Sequence, residues 1–134
     1  MGHAEVILLD THVWVHWLAP GSRPLSAGAL ASIDTADRLA VSTISCWEVV
    51  YLHKRRRIDL GMDVSRWLDL ALDGSDIECL PITRDISAQA AALSDIHRDP
   101  ADRFIIATAV LARYRLLTLD ETVRQYPELH ELLV

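Results

Sequence analysis

Apolar residues along this chain follow two rhythms that alternate. Unbroken apolar runs at 5–10, 39–42, 77–82 and 115–120 read as short strands buried on both faces. Between them, residues 11–18, 26–36, 43–57, 64–72, 87–96 and 102–114 place apolar side chains three or four positions apart, the spacing of one helix face. Punctuation falls where such elements need it. Pro20, Gly21 and Pro24 mark a loop over 19–24, residues 58–62 break the third helical stretch, Asp73-Gly74 stops the fourth, and 97–100 separates the last two. A short helix over 121–126 and a closing strand over 130–134 complete the reading. Strands alternating with helices predict an α/β architecture, a parallel sheet of four or five strands with helices on both faces in three α/β/α layers. The 134 residues are expected to form a single domain spanning 1–134.

Composition narrows the class. With 51% hydrophobic and 24% charged residues the chain can build a core and is not of the disordered type. No apolar run approaches the ~20 residues of a membrane span, and no basic leader precedes one, so no membrane partner and a cytoplasmic location are expected. Cys46 and Cys79 stand far apart outside any CxxC pair, which fits reduced thiols rather than a disulfide framework or a thiolate zinc site. Thirteen Lys and Arg against nineteen Asp and Glu leave −6, so the surface as a whole repels a polyanion and any phosphate must be met locally. Lys54 is the sole lysine, and such local contacts would be arginine contacts.

In open parallel sheets ligands bind beyond the carboxyl ends of the strands, and acids collect there. Asp10 ends the first predicted strand and Asp120 the fourth; Glu48 lies a turn into the helix after the second, and Asp102 opens the helix before the fourth. Taken singly each has an ordinary role. Asp10 and Asp120 sit where helix caps are wanted, Asp99-Pro-Ala-Asp102 is a normal helix start, and Ser45-Cys-Trp-Glu48 matches a capping box. Glu48, however, falls within an apolar stripe between Ile44 and Leu52, where a lone carboxylate is costly to bury. A hard divalent cation, Mg²⁺ or Mn²⁺, is the economical counter-charge for four converging carboxylates. Such an arrangement points to phosphodiester hydrolysis.

The motifs Leu8-Leu-Asp-Thr-His12, Val41-Ser-Thr-Ile-Ser-Cys-Trp-Glu48, His97-Arg-Asp-Pro-Ala-Asp-Arg-Phe-Ile-Ile-Ala107 and Leu117-Thr-Leu-Asp120 resemble, in order and spacing, those of PIN-domain proteins, and within them the VapC-type toxins of bacterial toxin–antitoxin pairs. The resemblance spans nearly the whole chain. It implies that Asp10, Glu48, Asp102 and Asp120 bind Mg²⁺ or Mn²⁺ for endoribonuclease action, with Thr11 and Thr118 supporting them. Asp99 belongs to the same motif as a second acid or as a helix cap only. The family further implies an RNA substrate, a cognate antitoxin that covers the site, and a homodimer.

Other signals are weaker. His12 and His16 share a helix face, but Val13 stands where a zinc-protease glutamate would be. Arg55, Arg56 and Arg103 are candidate contacts for RNA or antitoxin, and His97 for substrate; the four tryptophans, set among apolar residues, are expected in core or dimer packing. Two alternative functions remain open to this sequence: a phospho-acceptor signalling domain, which needs an acidic pair at the first strand and a lysine near the last, both missing here, and a non-catalytic PIN-like binding module. Neither glycine-rich phosphate loop is present, so no nucleotide cofactor is expected.

Overall fold

A computed structural model describes residues 5–19, 21, 23–96 and 99–134. Its strands β1 (Val6–Leu9), β2 (Arg38–Ser42), β3 (Glu78–Leu80) and β4 (Arg115–Leu117) form one parallel sheet in the order β3-β2-β1-β4. Among the described residues six α-helices surround it: α1 (Thr11–Leu18), α2 (Ala27–Thr35), α3 (Thr43–Lys54), α4 (Val64–Leu68), α5 (Arg84–Ala92) and α6 (Pro100–Ala112).

The two-residue period of a strand explains the layers. In β1, Ile7 and Leu9 face a cluster with Trp14, Ile33, Val41 and Trp67, while Val6 and Leu8 face a second with Ala40, Ile86, Ile105 and Ile106. Both faces of β1 are therefore sealed, as the unbroken apolar run requires. From β1 the chain builds β2 and β3 to one side and then returns to place β4 on the other, so the strand order reverses between β1 and β4. That is where an open α/β sheet offers a crevice at its carboxyl edge.

Several boundaries differ from the sequence expectation, each for a local reason. The helix expected over 87–96 is α5, which starts earlier because the Thr83 hydroxyl accepts from Ile86 N at 3.1 Å and stops at Leu93, whose backbone is extended. The helix expected over 102–114 starts at Pro100, capped by Asp99, and ends at Arg113 in the left-handed region. The predicted 64–72 helix widens after α4 into a π-type turn, Asp69–Asp73, closed by Gly74 N donating to Asp69 O at 3.2 Å. A Cβ on Gly74 would lie 2.9 Å from the Leu70 carbonyl oxygen, so this turn demands glycine. Residues 121–126 form no α-helix; short 3₁₀ turns occupy Val123–Gln125 and Pro127–Leu129. The closing strand reduces to one parallel bridge, Leu116 with Leu133, flanked by Leu116 N to Leu132 O at 2.7 Å and Val134 N to Leu116 O at 3.0 Å. Among the described residues no helix is long and apolar enough to cross a membrane.

Candidate active site

Asp10 follows β1 directly, and its amide donates to Leu117 O at 3.0 Å, extending the β1–β4 pairing by one step. The carboxylate is 4% exposed and held from both sides: Thr11 N donates to Oδ1 at 2.7 Å and the Thr118 hydroxyl to Oδ2 at 2.6 Å. Burial pushes its pKa above the usual carboxylate value, and the Thr118 hydrogen bond pulls in the opposite direction. Thr118 also accepts from Asp120 N at 3.1 Å, so one hydroxyl ties the Asp10 carboxylate to the backbone of Asp120.

Glu48 enters from α3. The capping-box reading of Ser45 and Glu48 does not hold, because α3 starts earlier, with Ser42 as its cap accepting from Ile44 N at 3.2 Å. Ser45 is instead fully buried within the helix, 2.8 Å from the Thr11 hydroxyl, which lies 2.6 Å from Glu48 Oε1. Thr11 has a single proton to give and the carboxylate is the stronger acceptor, leaving Ser45 as donor to Thr11. Sequence reading gives Ser45 a capping role only; the signal for its actual role is its place three residues before Glu48, on the same side of one helix. Glu48 is half-buried and its pKa is raised, first by burial and then by Asp10 and Asp99.

The third segment brings a carboxylate that sequence alone could assign to capping. Asp99 does cap α6, accepting from Ala101 N at 2.9 Å, yet it also offers an oxygen to a group with Glu48 and Asp102 in which the ligand atoms lie within 4.8 Å of one another. Asp102 is pushed up to about 8, first by burial and then by the charges of Asp10, Asp99, Glu48 and Asp120. Asp120 stands outside that group of three but within its field; its Oδ1 accepts from Thr122 N at 2.8 Å and Val123 N at 3.3 Å. The donor set consists of hard carboxylate oxygens whose mutual repulsion favours protons until a cation replaces them, so these residues could hold a metal ion.

The peripheral candidates separate. Arg55 and Arg56 are exposed beyond the end of α3, with the Arg55 guanidinium 5.2 Å from the Tyr51 ring centre. Arg103 is half-buried and bonded within the fold. Its guanidinium donates to Ala90 O at 3.1 Å, Leu93 O at 3.0 Å and Ser94 O at 3.0 Å, closing the carboxyl end of α5, and to the Tyr126 hydroxyl at 3.3 Å. Trp14 and Trp67 pack in the core with ring centres 4.9 Å apart, as expected, whereas Trp47 is 57% exposed and stacked on Tyr51. His97 lies outside the described residues.

Comparison with known proteins agrees with this architecture. The profile of the family described as PIN domain matches residues 7–129. The chain is 40% identical over 121 residues to "Ribonuclease VapC22" of Mycobacterium tuberculosis, covering 90% of this chain and 91% of that protein. Among solved structures, VapBC2 from Rickettsia felis, bound to a DNA fragment from its promoter, is similar with a TM-score of 0.70 at 15% identity, over 96% of this chain and 97% of the other. A toxin-antitoxin complex from Klebsiella pneumoniae gives 0.67 at 22% identity, over 96% and 95%. At those identities the structures speak for the fold, and the profile and the sequence relative speak for descent. Acids gathered at the β1–β4 switch, a sheet of matching topology and a family profile that spans the fold from β1 to the last 3₁₀ turn lead to one assignment: the chain belongs to the PIN-domain family.

Proposed function

We propose that this protein is a divalent-metal-dependent endoribonuclease, the toxin of a toxin–antitoxin pair, folded as one domain and working as a homodimer. The observation that carries the chemistry is the group formed by Glu48, Asp99 and Asp102, with oxygens within 4.8 Å and Asp102 driven to about 8 by burial and its neighbours. Asp10, Glu48, Asp102 and Asp120 would hold Mg²⁺ or Mn²⁺, with Asp99, whose oxygen lies in one group with those of Glu48 and Asp102, in support. When bound, the ion would acidify water and offset negative charge on the phosphodiester.

The protein's own part is orientation. Thr118 and the Thr11 amide fix both oxygens of Asp10, and the Thr11 hydroxyl, itself set by Ser45, fixes one oxygen of Glu48. These bonds are made before any ligand arrives, so the carboxylates pay little reorganisation on binding. The ribonuclease name of the 40%-identical relative supports RNA as the substrate, and the toxin–antitoxin complexes among the structural neighbours support an antitoxin partner.

The test is incubation of the purified protein, free of antitoxin, with total RNA in Mn²⁺ or Mg²⁺, beside EDTA and Asp10→Ala controls. Discrete fragments that vanish in both controls are expected. RNA left equally intact by wild type and variant, with Mn²⁺ binding detected by calorimetry, would reject the nuclease reading for that pool and leave a non-catalytic role.

A further inference from the structure

A chain of net charge −6 that acts on RNA must hold the polyanion somewhere specific, and the acid notch cannot do it. Beside that notch a cleft of about 460 Å³ is lined by His12, His16, Arg23, Leu52, Arg57 and Asp59, among others. His12 joins the two regions: it lines the cleft and stands two residues after Asp10, on the same helix α1 that Asp10 caps. Leu52, on the cleft floor, is one helical turn beyond Glu48 on α3. A second cleft of about 710 Å³, lined by His53, Lys54, Arg56 and Arg57, shares Arg57, Ile58 and Asp59 with the first. The two therefore run on from one another, leading away from the acids along the end of α3.

The lining is opposite in sign to the chain as a whole. Arg23, Lys54, Arg56 and Arg57 are permanent cations there, and Asp59 is the one acid among the described residues that line either cleft. Asp59 is partly committed already, its Oδ1 accepting from Gly61 N at 2.9 Å. Apolar Val15, Leu52 and Ile58 supply a floor against which a ribose or base can lie. His12 and His16 line the first cleft side by side, with ring centres 6.5 Å apart.

We propose that this double cleft is the track for the RNA strand on one side of the scissile phosphate, with Arg23 and Arg57 contacting backbone phosphates next to the acid notch and Lys54 and Arg56 those further along. The assignment rests on the nuclease reading above for its substrate class. Four phosphate contacts on a single strand correspond to a salt dependence with a log–log slope of about −3.

The experiment is fluorescence anisotropy of a labelled single-stranded RNA of about 12 nucleotides, titrated with full-length protein in EDTA, where no cleavage occurs, at several salt concentrations. Three proteins are compared: wild type, Arg23→Gln/Arg57→Gln, and Arg113→Gln, a control of like chemistry at the far end of α6 from Asp102. The double variant should bind about tenfold more weakly with a slope shallower by about 1.4, and in Mn²⁺ should show raised KM with kcat little changed; Arg113→Gln should match wild type. Equal RNA binding by all three proteins, with metal-dependent cleavage intact, sinks the track and leaves the nuclease reading standing. Cleavage absent throughout, with salt-dependent binding still lost in the double variant, keeps the track and removes the nuclease. A double variant that loses binding to a glutamate decamer while keeping RNA shows a protein-docking cleft and overturns the proposal.

Discussion

Asp102 supplies a prediction that can be counted in protons. With its pKa at about 8 in the metal-free protein, about nine Asp102 side chains in ten are neutral at pH 7. A divalent ion requires the carboxylate, so binding Mn²⁺ at pH 7 must expel about 0.9 proton from this residue, and at pH 9 only about 0.1. Asp10 and Glu48 are shifted in the same direction, each first by burial. Calorimetric titration with MnCl₂ in buffers of different ionisation enthalpy reads the number as the slope of observed heat against that enthalpy. Asp102→Asn should lower it by most of one proton at pH 7. Stability carries the same sign. A carboxyl whose folded pKa lies above its unfolded value of 3.8 binds more protons when folded, so its contribution is fully present at low pH and is lost as pH rises through about 8. In EDTA the melting temperature of wild type should therefore fall relative to Asp102→Asn between pH 7 and 9, and Mn²⁺ should restore it. Tight Mn²⁺ binding at pH 7 without proton release, or an equal release from the Asn variant, would refute the reasoning.

Two further outcomes follow from the packing. Arg103→Ala should cost about 3 kcal/mol in urea unfolding, because charge-assisted bonds are lost and the Ala90, Leu93 and Ser94 carbonyls lose their donor; Arg103→Lys should recover only part, since a point charge cannot span that fork of acceptors. Trp14→Ala should cost about 3–5 kcal/mol and Trp47→Ala under about 1 kcal/mol, although both lie in helices rich in apolar residues. Equal losses at the two sites would contradict the burial described.

What could be read from the sequence was what depends on neighbours along the chain. The sealed strand β1 follows from four consecutive apolar residues, and Asp10, Glu48, Asp102 and Asp120 were marked by their places after strands and at helix starts. Features set by packing between distant segments were not legible. Asp99-Pro100 has the form of any capped helix start, and its nearness to Glu48 exists only because α3 and α6 pack together. Arg103 adjoins Asp102, but one residue turns a helix by about 100°, enough to send it to α5 instead of the notch. Trp47 is exposed because the buried face of α3 is narrow, with Ser45 and Val49 alone fully enclosed, so a large aromatic residue one step before Glu48 faces outward. The closing strand failed for want of pairing: Leu133 meets Leu116 once, and no continuous ladder follows.

The sheet order has a consequence for when the protein becomes active during its own synthesis. β1 is made first and sits in the interior of the sheet, yet the strand that completes its carboxyl edge, β4, is the last of the four. Until residue 118 has emerged from the ribosome, Asp10 lacks the hydroxyl that holds its second oxygen, and until residue 120 the final acid is missing. Unfinished translation products thus carry the early acids without the scaffold that gathers them, and the order of translation itself withholds a finished centre from the cell until β4 and the residues just after it have been made.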